Sequence, residues 1–109
     1  MIKKNIQNEL GKEIFSQALQ IFLVNAEKDI TLMNLYIESK DYSQAKLLSH
    51  KLIGSCEAVG IKKMPVLLRE LDTNLAKRYV RKQNLSEIND LYKELKKFIR
   101  THHSIEIER

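Results

Sequence analysis

Apolar residues recur along this chain at the three- and four-residue spacing of amphipathic helices. From Gly11 to Ser39, at roughly 100° per residue, Phe15, Leu19, Phe22, Ala26, Ile30, Met33 and Ile37 share one face. Ala18 and Tyr36 belong to the same face, and the pattern predicts one long helix. The stretch Ile2 to Leu10 before it reads either as a short extra N-terminal helix or as a frayed start, because Gly11 weakens continuity.

Punctuation residues divide the remainder into three more helices. Asp41 followed by Gln44 has the spacing of a reciprocal capping box, which predicts a helix from Tyr42 to about Val59, closed by Gly60. Pro65 fits the first turn of a third helix, where its missing N–H costs nothing, and Leu67, Leu68, Leu71 and Leu75 carry that helix to about Val80. Asn84 with Glu87 repeats the capping pattern before a fourth, in which Ile88, Leu91, Tyr92, Leu95, Phe98 and Ile99 recur at helical spacing. Short connections between amphipathic helices make an all-α, antiparallel four-helix bundle the expected fold, as one domain over residues 1–109.

Composition supports this architecture. Apolar residues make up 43% of the chain, enough for a core, while three glycines, one proline and no tryptophan leave little material for the turns of a β-sandwich. No apolar run approaches the roughly 20 residues that cross a bilayer, and no signal sequence opens the chain, so a cytoplasmic protein without membrane insertion is expected. A lone cysteine, Cys56, fits a reducing compartment and an inward packing role. The net charge of +5 arises beyond Gly60, since residues 1–60 carry seven basic and seven acidic side chains. Lys77, Arg78, Arg81 and Lys82 cluster where the third helix would end, a placement favoured by the helix dipole. Nucleic-acid binding is not expected, because no aromatic beyond Tyr79 is interleaved for base stacking.

Candidate chemistry centres on the stretch "LLSHKLIGSCEAVG". With Leu52 turned to the core, Ala45, Leu48, Ser49, Cys56 and Val59 lie within about 60° of it, whereas His50 lies roughly 160° away, in water. Lys46, Leu47, Ile53, Gly54 and Glu57 surround His50 on that exposed side. Gly54 stands four residues on, where a side chain would crowd the imidazole, and its absence leaves the ring open to a large partner. A neutral imidazole is a competent nucleophile near neutral pH, and a nearby ammonium offsets phosphoryl charge. On these features alone, His50 is either a reactive surface histidine or a merely exposed one.

The segment "SHKLIGSCEAVG" resembles the signature of histidine-containing phosphotransfer (HPt) domains, with His50, Leu52, Gly54, Ser55 and Gly60 on its fixed positions and Ser49 in place of the usual alanine. "YIESKDYSQAKLL" is similar to the family's lead-in to the phosphoacceptor helix, and "MPVLLRELD" to the leucine-rich, acid-terminated segment that follows. The resemblance implies a four-helix bundle and makes His50 the phosphoacceptor, taking a phosphoryl group from a receiver-domain aspartate and passing it to another receiver. It implies a phosphocarrier without ATP-dependent catalysis, metal or cofactor of its own, the magnesium residing in the receiver. Partners are then the receiver domains of a hybrid sensor kinase or a response regulator, approached by a monomer.

Family members usually carry lysine three residues after the histidine, where this chain has Ile53. Lys46, about 40° from His50 on the wheel, is expected to stabilise the phosphoryl group in its stead, with a lesser part for Lys51, about 100° away on a flexible stem. Gly54 and Ser55 are assigned to access and the local site, and Leu47, Ile53 and Glu57 to receiver docking. A non-phosphorylated helical module that binds receivers is the alternative. His102 and His103, adjacent in sequence, cannot share a helix face and do not read as a metal site.

Overall fold

The computed structural model describes residues 2–102, with side chains from residue 11 onward. Among the described residues there are four helices: α1 (Ile2–Glu38), α2 (Tyr42–Ala58), α3 (Lys63–Ala76) and α4 (Lys82–His102). Each packs on its neighbours in chain order, and α4 closes the ring against α1. The connections, 39–41, 59–62 and 77–81, are short enough to reverse the chain each time, which produces the up-and-down antiparallel bundle expected from the sequence. Met33, Leu52, Met64, Leu68, Leu71 and Ile88 are fully buried at its centre. Each such side chain contributes about 1.5–3 kcal/mol of burial.

No separate helix precedes α1. The helix passes through Gly11 unbroken, and its 37 residues absorb a glycine that costs about 1 kcal/mol relative to alanine. At 1.5 Å per residue it accounts for the 54 Å long dimension of the molecule. The 17 residues of α2 cover only the C-terminal half of α1. This explains why Phe15, on the core-facing side of the wheel, is left exposed.

The helix ends show which capping signals operate. Asp41 Oδ1 accepts the N–H of Gln44 at 3.3 Å, as the sequence pattern requires. Its own N–H is not satisfied by the Gln44 side chain; it donates to the Tyr36 carbonyl at 2.8 Å, so Asp41 closes α1 while opening α2. Gly60, at φ +82°, ends α2 with the Ile61 N–H donating to the Cys56 carbonyl at 2.9 Å, the paired-bond arrangement that favours glycine in the left-handed region.

Three expectations need correction. α3 stops at Ala76, short of Val80, through a similar turn in which Arg78 takes φ 65° and the Tyr79 N–H donates to the Asn74 carbonyl. The basic cluster therefore lies beyond the last turn of α3, and Arg81 pairs with Glu70 at 2.8 Å. Asn84 is not a cap: α4 already begins at Lys82, and Asn84 is buried with Nδ2 donating to the Leu67 carbonyl at 3.1 Å. Phe98 is exposed and stacks on His102, with ring centroids 4.2 Å apart.

Candidate functional site

The site is built where α2 lies against α3. Ser49 is fully buried, and its Oγ donates to the Leu68 carbonyl at 3.3 Å, so the small residue before His50 lets the helices approach and then ties them together. His50, one residue on, turns out of the contact with 61% of its side chain exposed. Its Nε2 lies 2.9 Å from Oδ2 of Asp72, whose side chain is only 13% exposed. Asp72 follows the buried Leu71, and that single step of the helix rotates its carboxylate from the core toward α2.

A neutral imidazole has one N–H and one lone pair. The carboxylate of Asp72 favours a proton on the ring nitrogen that faces it, Nε2, and a lone pair on the other. Rotating the exposed ring to offer Nδ1–H to the same carboxylate places the lone pair on Nε2 instead. Either way the nitrogen not held by Asp72 is the nucleophilic one.

A groove beside the imidazole is lined by Lys46, Arg69, Asp72, Thr73, Ala76 and Lys77. Lys46 is half-buried there on the His50 side of α2, where the wheel placed it, and has no carboxylate partner among the described residues. Arg69 pairs with Glu57 across the two helices. Gly54 is exposed, and a β-carbon built on it would meet nothing within 4 Å, so the surface of α2 one turn beyond His50 is open. Leu47 is 63% exposed, as a docking residue must be.

Two residues stand elsewhere than expected. Ile53 is 8% exposed and belongs to the core, because it sits on the flank of α2 from which Ser49 and Glu57 reach α3 and is covered there. Lys51 turns the opposite way, to α1, where Nζ binds Asp29 Oδ1 at 3.2 Å. Ser55 spends its hydroxyl on the Lys51 carbonyl at 3.2 Å, a bond within its own helix. The contribution of α3 was missed in the sequence: Asp72 and Arg69 close the acid-terminated segment "MPVLLRELD", and their position on one flank of the leucine stripe, about 40° and 100° from Leu68 on the wheel, was the available signal.

Cys56 is fully buried, and burial, reinforced by Glu57, pushes its thiol up to about 12, so it stays protonated and serves packing. His102 Nδ1 lies 3.0 Å from the Phe98 carbonyl, and His103 lies outside the described residues. Among the described residues no cluster of three His, Cys, Asp or Glu could hold a metal ion, and no helix is long and apolar enough to cross a membrane.

The site is thus an exposed histidine on the second helix of a four-helix bundle, held beside a largely buried carboxylate. The family model for the Hpt domain matches residues 17–101, and the chain belongs to that family. Hpt domains are phosphocarrier modules that interact with receiver domains in phosphorelays. No curated protein and no solved structure matches the chain.

Proposed function

We propose that His50 is the phosphoacceptor, receiving the phosphoryl group of a receiver-domain aspartyl phosphate and returning it to a receiver of the same or another protein. The observation that carries this reading is the pairing of an exposed imidazole with a largely buried carboxylate, His50 with Asp72, beside the open helix surface at Gly54. The lone pair of the ring nitrogen turned away from Asp72 attacks phosphorus. An N–P bond forms, the P–O bond to the receiver aspartate breaks, and the carboxylate leaves. The ring then carries positive charge, and its remaining N–H, held by Asp72, is stabilised as that charge develops.

Magnesium belongs to the receiver in this scheme, and the chain contributes no cofactor. Because Ile53 is in the core, the charge of the phosphoryl group falls to the groove, with Lys46 as its first counter-charge and Arg69 and Lys77 on the opposite wall. Lys51 is engaged with Asp29 and takes no part. Docking rests on Leu47, Gly54 and the ring itself.

Incubation with phosphorylated receiver domains tests the proposal. Acid-labile, base-stable label is expected on the wild-type chain and none on His50→Gln, which keeps its helicity because the residue faces water. Label retained by His50→Gln would remove this histidine from the mechanism. Receiver binding with no label on the wild type would instead identify a docking module.

A further inference from the structure

α1 carries two apolar stripes, and only one belongs to the bundle. Leu19, Leu23, Ala26, Ile30 and Met33 join the core. On the wheel, at roughly 100° per residue, Ile14, Ile21, Val24, Leu32 and Leu35 fall in an arc of about 80° on the opposite side of the helix. All five are between 38% and 67% exposed. A bundle helix needs one apolar stripe, and a second, aligned along more than five turns, marks a surface that another helix covers.

We propose that this stripe pairs with the same stripe of a second copy of the chain, antiparallel about a two-fold axis between Phe22 and Leu23. From Ile14 the stripe steps by three and four residues through Gln17, Ile21, Val24 and Lys28 to Thr31, the alternation of a coiled-coil seam. In the antiparallel register Ile21 of one copy faces Val24 of the other, Ile14 faces Thr31, and the ammonium of Lys28 faces the amide of Gln17. A parallel register would stack Lys28 on Lys28 inside the seam. The flanking charges, Glu13 and Glu27, do not suit an anionic membrane, which calls for a rim of lysine and arginine.

In this register Ile14, Ile21 and Val24 lie in the seam while Leu32 meets Glu13, so the paired area falls short of the roughly 1,000 Å² of a specific, stable interface and is that of a transient one. The dimer is accordingly weak and concentration-dependent, and it replaces the monomer expected from the sequence. His50 lies on the flank of α2 that faces α3, so both copies keep an open site.

Sedimentation equilibrium of the full chain from about 10 μM to about 1 mM tests this. The mass is expected to rise from 12.8 kDa toward twice that value. The double variant Ile21→Asp, Val24→Asp is expected to stay at the monomer mass with unchanged helicity by circular dichroism. Gln17→Glu places a carboxylate opposite Lys28 twice per dimer and is expected to tighten association severalfold. A wild-type chain that remains monomeric throughout, or a dimer that survives the double substitution, would overturn the proposal. Weakening by Gln17→Glu would overturn the antiparallel register. These readouts involve no phosphotransfer, so they stand or fall apart from the role of His50.

Discussion

Two carboxylates reach α2 from opposite sides and take hold of adjacent residues, yet they do different work. Asp29 of α1 is 3% exposed and binds Lys51; Asp72 of α3 binds His50. Each keeps one buried oxygen, Asp29 Oδ2 and Asp72 Oδ1, with no hydrogen-bond partner among the described residues. The difference lies in what each acid holds. An ammonium on a long stem is a fixed charge that clamps two helices, whereas an imidazole so held keeps a second nitrogen free for chemistry. Neighbouring positions on one helix thus separate into a strut and a reactive group because successive side chains diverge by about 100°.

The largest break in this comparison comes from closing the space over the reactive side. Gly54→Leu is expected to leave Asp29–Lys51 and Asp72–His50 intact, to raise helix stability by up to about 1 kcal/mol, and to slow phosphoryl acceptance on the order of a hundredfold by blocking the partner's approach. Stopped-time labelling from a phosphorylated receiver measures it. An unimpaired rate would show that the glycine does not control access.

Next in size is the reactive acid itself. Asp72→Asn preserves shape but removes the carboxylate that orients the ring and balances its charge. Carboxylates that orient a metal-ligating imidazole are worth roughly tenfold to a hundredfold, and the lower end of that range is expected for a ring that binds no metal. The labelling rate is expected to fall by about tenfold, while the urea midpoint moves little. A large fall in stability with an unchanged rate would make Asp72 a strut like Asp29.

The strut is expected to show the reverse. Lys51→Met strands a buried carboxylate and should cost about 1–2 kcal/mol, a range reduced because the lysine is itself largely solvent-exposed. Asp29→Asn in the same background should recover part of the loss by removing the uncompensated charge. Urea denaturation reads both effects, and the labelling rate should stay at its wild-type value. A rate that fell with Lys51→Met would return this lysine to the phosphoryl site.

How much of this was legible in the sequence depends on whether local or tertiary forces decide a residue's fate. The four helices, the Asp41 cap, the Gly60 stop and the outward turn of His50 follow from spacing and backbone preference. Asn84 has the same kind of capping pattern as Asp41, but a carbonyl of the neighbouring helix, Leu67, claims its amide, and nothing in the local sequence announces that competitor. Ile53 was misplaced for a related reason. A wheel centred on Leu52 assigns one buried arc, but α2 is packed by two helices, so its covered arc is wider and includes a residue about 100° from the centre. Asp72 and Asp29 are invisible as partners because their contacts span 22 residues of sequence in each case.

The smallest expected effect concerns the charge that Ile53 does not supply. Lys46 shares the groove with His50 and has no acid to neutralise it among the described residues, so its ammonium is free to meet the phosphoryl group. Phosphorylation adds about −1.5 to −2 charges there. Solvent screening limits such a pairing to about 0.2–1 kcal/mol, which corresponds to a severalfold fall at most in the equilibrium fraction of phosphorylated His50 in Lys46→Ala. Arg69→Ala should have a lesser effect, because Glu57 already occupies that guanidinium. Restoring the family's residue is no remedy: Ile53→Lys would drive an ammonium into the core and lose stability before it gained any phosphoryl contact. The fraction phosphorylated at equilibrium is therefore the quantity to measure, because a rate also reports docking. If that fraction falls with Arg69→Ala and holds with Lys46→Ala, the counter-charge comes from α3, and both the acid and the base that tune His50 belong to that helix.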